Sequence, residues 1–164
     1  MIKYLFLDLY GVLVLDGYQA NDDYGALFDA TSVDNLAHII EQTQAKIVIT
    51  SSYRSMGMDW LHDLWKHRSM PFEIYSATPI LERTQYEVVD AEHIGSVYRI
   101  PEYYAKGLEI ERWLNTNAEG RYQYAILDDE SYFLLGQAPH FVQTNPDFGI
   151  TDSVVSQVID ILNK

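Results

Sequence analysis

The sequence predicts an α/β protein: a three-layer α/β/α sandwich around a central parallel sheet. Three observations lead there. Short continuous apolar runs recur, as strands buried on both faces require: Leu5-Phe6-Leu7, Ile47-Val48-Ile49 and Ala125-Ile126-Leu127. Stretches of helical period lie between them. Each run then ends in a carboxylate or hydroxyl, at Asp8, Thr50 and Asp128, and open α/β sheets bind ligands outside the carboxyl ends of their strands.

Residues 2–8 read as the first strand, near the middle of the sheet. Gly11 lets the chain turn sharply and leaves Asp8 reachable. Residues 14–30 hold several Gly, Asn and Asp and read as a loop, with a short helix at most. Thr31 or Ser32 is expected to cap a helix through about Thr43, with Val33, Leu36, Ala37 and Ile40 on one face. Residues 46–49 form the second strand, ending in Thr50-Ser51-Ser52-Tyr53-Arg54. Trp60, Leu61, Leu64 and Trp65 mark a helix over 58–67. A third short strand is expected over 72–75, followed by Ser76-Ala77-Thr78-Pro79.

Residues 78–105 show no sustained period and read either as a long functional loop or as a misassigned element, with short strand pieces at Val88-Val89 and Ser96-Val97-Tyr98. Its Tyr98, Tyr103 and Tyr104 suit either a substrate mouth or ordinary loop packing. Lys106 opens a helix through about Leu114, with Ile110, Trp113 and Leu114 facing inward. Residues 124–127 are the fourth strand, ending in Asp128-Asp129-Glu130, and 141–143 the fifth, ending in Thr144-Asn145-Pro146-Asp147. Gly149 turns the chain, and Thr151 caps a last helix whose apolar face holds Val154, Val155, Val158 and Leu162.

The chain of 164 residues suits one domain, and 48% apolar content suffices for a core. A formal net charge of −13 opposes unaided binding to nucleic acid, which normally rests on Lys and Arg, and to anionic membranes. No apolar run approaches the ~20 residues of a membrane span. With no cysteine, disulfides, thiolate nucleophiles and cysteine-ligated zinc are excluded. The N-terminus lacks the marks of a signal peptide, so a cytoplasmic protein is expected. The five histidines, His38, His62, His67, His93 and His140, show no zinc spacing. Trp60, Trp65 and Trp113 read as core.

Together the strand ends offer Asp8, then Thr50 with Ser51, then Lys106 at a helix start, then Asp128 and Asp129. Three carboxylates on one sheet edge cannot all ionise cheaply unless a cation sits among them. An oxygen-only set suits Mg²⁺. A hydroxyl and an ammonium beside it suit the oxygens of a transferring phosphoryl group. Asp8 is then the candidate nucleophile, through an aspartyl phosphate. Each residue also has a plainer reading. Asp8 can cap a turn, Asp128 and Asp129 can be an exposed acidic turn, Thr50 and Ser51 can cap the next turn, and Lys106 can be solvated. Arg54 either reaches a substrate anion or pairs with a surface carboxylate.

This order resembles the haloacid dehalogenase-like (HAD) superfamily, mostly phosphohydrolases of Rossmann-like fold. The resemblance rests on Asp8-Leu9-Tyr10-Gly11-Val12, on Thr50 after its strand, on Lys106, and on Asp128-Asp129 after Ala125-Ile126-Leu127. Ile47 to Arg54, Ala77-Thr78-Pro79, Lys106 to Ile110 and Ile126 to Glu130 are similar, more narrowly, to the small capless HAD domains of Swiss Army Knife RNA repair proteins. The resemblance implies Asp8 as nucleophile, with Thr50 and Lys106 on the phosphoryl group. It also implies Mg²⁺ held by Asp8, Asp128 and the Tyr10 carbonyl, with Asp129 in or beside the metal shell.

One departure matters. Tyr10 stands where superfamily phosphatases usually carry a second Asp that protonates the leaving oxygen and later activates water. A phenol of pKa ~10 can donate a proton but is a poor base near neutrality. The expected function is therefore Mg²⁺-dependent phosphate monoester hydrolysis, weakened by Tyr10. The alternatives are a domain that binds a phosphorylated ligand or partner without turnover, and a dehalogenase-type carbon–halogen hydrolase. True dehalogenases share Tyr-Gly here but carry a helical cap, for which residues 14–30 look too short.

Overall fold

A computed structural model describes residues 1–17, 20–81, 87–89, 97–99 and 105–164. In chain order the elements are β1 (Ile2–Leu7), β2 (Asn21–Asp22), β3 (Gly25–Ala26), α1 (Ala30–Thr43), β4 (Lys46–Ile49), α2 (Met58–His67), β5 (Ile74–Ala77), β6 (Glu87–Val89), β7 (Val97–Arg99), α3 (Ala105–Asn117), β8 (Tyr122–Asp128), β9 (Phe141–Gln143) and α4 (Asp152–Leu162). Five strands form one parallel sheet in the order β5-β4-β1-β8-β9, so β1 is central, as expected.

Alternation along β1 distributes the core. Leu5 and Leu7 lie in a cluster with Leu36 of α1, Leu61 and Leu64 of α2 and Val158 of α4. Tyr4 and Phe6 lie in a second cluster with Val48, Ile126 and, from α3, Ile110, Trp113 and Leu114. Successive strand residues point to opposite faces, so α1, α2 and α4 cover one face of the sheet and α3 the other. Trp113 meets Tyr4 and Phe6 edge-on, at 5.0 and 5.4 Å between ring centres.

Several local expectations shift. The third strand is Ile74–Ala77, not 72–75: an irregularity in the β4–β5 pairing sets Ser76 opposite Val48 and Ala77 opposite Ile49. Phe72 packs against the core from outside the strand. α1 is capped by Asp29, whose carboxylate accepts from the Ser32 amide. Ser32 is instead buried, its hydroxyl accepting from the Ile150 amide. That turns the buried face of α1 to Ser32, Leu36, Ile39 and Thr43. Thr151 holds the cap position of α4 without a side-chain cap bond.

Residues 14–30 contain, among those described, no helix before Ala30, only the β2–β3 pair. The strand pieces expected in the long loop occur as β6 and β7, which pair antiparallel. The side chain of Tyr98, and all of His93, Tyr103 and Tyr104, lie outside the described residues. No helix among the described residues is long and apolar enough to cross a membrane.

Candidate active site

Register brings the site together. Leu7 is level with Ile49 of β4 and with Leu127 of β8. The ladder runs one residue further: the Asp8 amide donates to the Leu127 carbonyl at 3.0 Å, and the Thr50 amide to the Leu7 carbonyl at 2.9 Å. Asp8, Thr50 and Asp128 therefore stand abreast, about one strand spacing (~4.8 Å) apart. They follow Phe6, Val48 and Ile126 by two positions, so they share the face covered by α3. Lys106, in the first turn of α3, closes the group. Its Nζ donates to Asp8 Oδ2 and to Asp128 Oδ2, each at 2.6 Å.

The remaining carboxylate oxygens are ordered locally. Asp8 Oδ1 accepts from the Leu9 amide, and Asp128 Oδ1 from the Glu130 amide. Asp8, Asp128 and Asp129 each offer an oxygen within 4.8 Å of the others'. Among the described residues, three carboxylates thus face one ammonium, an excess of negative charge. Burial, then the Asp8 carboxylate, pushes the Asp128 carboxyl up to about 7. Burial and Asp8 also raise Asp129. Burial alone would lower Lys106, but Asp8 and Asp128 outweigh it and hold the ammonium charged. Beside them Thr50 is fully buried and its Oγ1 has no hydrogen-bond partner among the described residues. A buried hydroxyl left unpaired is costly unless a ligand completes it.

Residues 4–155 match the model of a family described as the HAD domain in Swiss Army Knife RNA repair proteins. The chain belongs to that family. No curated protein matches it.

In this HAD domain the donor set fits the implied Mg²⁺: the ligands are oxygens only, their charge exceeds what Lys106 offsets, and a hydroxyl waits unpaired beside them. Gly11 lies against the same cluster. Its φ is +67°, and a Cβ there would overlap the Asp129 side chain. The Gly11 carbonyl accepts from the buried Thr144 hydroxyl at 2.8 Å, which ties the loop after β1 to the end of β9.

Other expected site residues are placed differently. Arg54 does not pair with a surface carboxylate. Its Nη2 bonds Glu109 Oε2 at 2.5 Å, the Glu109 side chain buried and that of Arg54 only 9% exposed. Its Nη1 donates to the Thr50 and Ser51 carbonyls, at 2.5 and 2.8 Å. The guanidinium therefore clamps the loop that carries Thr50, where the sequence left open a contact to a substrate anion. The other Glu109 oxygen accepts from the Leu81 amide. Glu109 is the residue that sequence reasoning missed as a partner. Its signal was the spacing from Lys106, since residues three apart share a helix face. Ser51 is buried and caps the short 3₁₀ turn Ser52–Met56, its Oγ accepting from the Tyr53 amide at 3.4 Å.

Tyr10 is 46% exposed, and its hydroxyl is hydrogen-bonded to that of Tyr53 at 2.8 Å. Among the histidines, His67 pairs with Asp22, and His140 stacks on Tyr124 and bonds its carbonyl.

Proposed function

We propose that this HAD domain is a Mg²⁺-dependent hydrolase of phosphate monoesters with Asp8 as nucleophile. The observation that carries this reading is the convergence on one sheet edge of Asp8, Lys106 and Asp128, beside the buried, unpartnered Thr50 Oγ1. Asp8, Asp128 and Asp129, with the Tyr10 carbonyl as the family resemblance implies, would hold Mg²⁺. When bound, the ion supplies the positive charge that offsets these carboxylates and the phosphoryl oxygens.

The chain's own groups do the rest. An Asp8 carboxylate oxygen attacks phosphorus, and the ester P–O bond breaks. The leaving oxygen keeps the electron pair and takes a proton from solvent, since the Tyr10 hydroxyl is bonded to that of Tyr53. Thr50 Oγ1 donates to a phosphoryl oxygen and so gains the acceptor it lacks. Lys106 offsets the charge of the transferring group. Water then attacks the aspartyl phosphate, the P–O bond to Asp8 breaks, and inorganic phosphate departs while the proton passes to solvent. Compared with an Asp, Tyr10 is a poor base in this second step, and general acid–base help is typically worth ~10²–10⁴-fold.

The substrate is a phosphorylated molecule. The family's description places such domains in RNA repair proteins, while the net charge of −13 counts against unaided contact with a nucleic-acid end. The deciding experiment is phosphate release from an aryl phosphate with and without Mg²⁺. Wild type is expected to turn over only with the ion, and Asp8→Asn not at all. Metal-independent release, or release by Asp8→Asn, overturns the reading.

The Tyr10–Tyr53 hydroxyl bond favours a second reading, in which the domain binds a phosphorylated ligand or partner without turning it over. Silence in wild type with turnover in Tyr10→Asp would select it.

A further inference from the structure

Tyr10 is more than a missing acid. Its hydroxyl bonds that of Tyr53 at 2.8 Å, which fixes the ring of the exposed residue on the loop after β1. That ring is braced. Tyr10 meets Tyr53 edge-on, with ring centres 5.4 Å apart, and Tyr53 meets Trp60 edge-on at 5.5 Å. Trp60 contacts Tyr24 at 5.6 Å, and Tyr53, Trp60 and Tyr24 pack against the main core. The bracing spans both loops of the site, since Tyr10 lies two residues past Asp8 and Tyr53 three past Thr50, at the ends of paired strands.

Asp8 and Thr50 are buried while Tyr10 is 46% exposed. A phosphoryl group held at Asp8 and Thr50 has its ester substituent outside the buried cluster, and Tyr10, two residues past Asp8, is the exposed ring on that loop. Aromatic rings attract other rings in offset or edge-on contact beyond simple area burial. The leaving-group chemistry points the same way. At this position the chain carries a phenol and not a carboxyl, and a leaving oxygen that departs as a phenolate needs less proton donation than an alkoxide.

We propose that Tyr10, held by Tyr53, forms the wall of a leaving-group subsite that takes a planar aromatic ring, so that the substrate class is a phosphate ester of a phenol. This rests on the phosphohydrolase reading above and adds to it the identity of the leaving group.

Binding calorimetry in the presence of Mg²⁺ tests it with probes that cannot be hydrolysed. These are benzylphosphonate, cyclohexylmethylphosphonate of similar size but without a planar ring, and inorganic phosphate. In wild type the planar probe should bind roughly threefold to tenfold tighter than the cyclohexyl one. In Tyr10→Leu, which keeps an apolar side chain without the ring, the ratio should fall to about one. In Tyr53→Phe, which removes the hydroxyl bond but keeps the brace, the ratio should fall only in part.

Equal affinities in wild type, with inorganic phosphate still bound, overturn the ring subsite and leave the phosphohydrolase reading intact. A preference that survives Tyr10→Leu also overturns it. Failure of inorganic phosphate and both phosphonates to bind wild type overturns the phosphoryl site and this inference together.

Discussion

At the scale of single residues, the site is a balance of charge in which Lys106 is the chain's own cation. Its ammonium touches two carboxylates at 2.6 Å, and Asp128 is fully buried. Lys106→Met leaves those carboxylates to repel each other. Removing one partner of a buried ion pair costs roughly 3–5 kcal/mol, and the lower end applies because the Lys106 side chain keeps 21% exposure. Urea unfolding should show this loss, and Mg²⁺ should restore more stability to the variant than it adds to wild type. An equal response to the ion in both would count against the proposed ligands. Gly11 is the second such residue. Gly11→Ala forces a side chain onto a backbone of positive φ and into Asp129. A cost above about 1 kcal/mol is expected, together with weaker Mg²⁺ binding by calorimetry as Asp129 is displaced.

At the scale of elements, the site is held by ties between loops and helices. Arg54 fastens the turn after β4 to α3 through Glu109, and Glu109 fastens α3 to the chain at Leu81. Arg54→Met strands a carboxylate whose side chain is only 4% exposed. A loss of roughly 3–5 kcal/mol in urea unfolding is expected, with a milder loss in Glu109→Gln, which keeps an acceptor for the Leu81 amide. If Arg54→Met unfolds at the wild-type midpoint, the clamp is not what orders the loop. The asymmetry of the layers matters as well. Among the described α-helices, α3 is the one that backs the face bearing Asp8, Thr50 and Asp128, so the helix that packs Trp113 against Tyr4 and Phe6 also delivers Lys106.

At the scale of the whole molecule, a contact outside the Asp8 cluster is expected to contribute to acid stability. Arg68 bonds Asp22 through both terminal nitrogens, at 2.5 and 3.0 Å, and also the Gly25 and Ala26 carbonyls. It ties the β2–β3 pair to the end of α2. The Arg68 bond first, with help from the Tyr24 amide and His67, holds the Asp22 carboxyl well below the usual carboxylate range. A carboxylate depressed in this way adds stability that is present above its unfolded pKa, near 3.8, and is lost as pH falls through the folded value. Thermal unfolding of wild type and Asp22→Asn should therefore differ most above about pH 4, and the two should converge as the pH drops toward 2. A constant difference across that range would remove Asp22 from the acid response.

The sequence by itself determined the strands that carry the site, because burial on both faces writes a local apolar run and each run ends at a residue that can be read in place. Asp8, Thr50 and Asp128 were legible for that reason, and so was the order of motifs that marks the family. Tertiary structure alone decided what those residues meet. Lys106 is 98 residues from Asp8, and Arg54 is 55 from Glu109. Nothing in the neighbourhood of a lysine at a helix start, or of an arginine in a turn, distinguishes a solvated charge from a buried one. Asp29 over Thr31 or Ser32 as the cap of α1 was decided the same way, since Ser32 is drawn inward to bond Ile150, 118 residues along. Tyr10 shows the division within one residue. Its place two beyond Asp8 is written in the sequence, while the hydroxyl bond to Tyr53, which fixes its ring, exists only once β1 and β4 lie side by side.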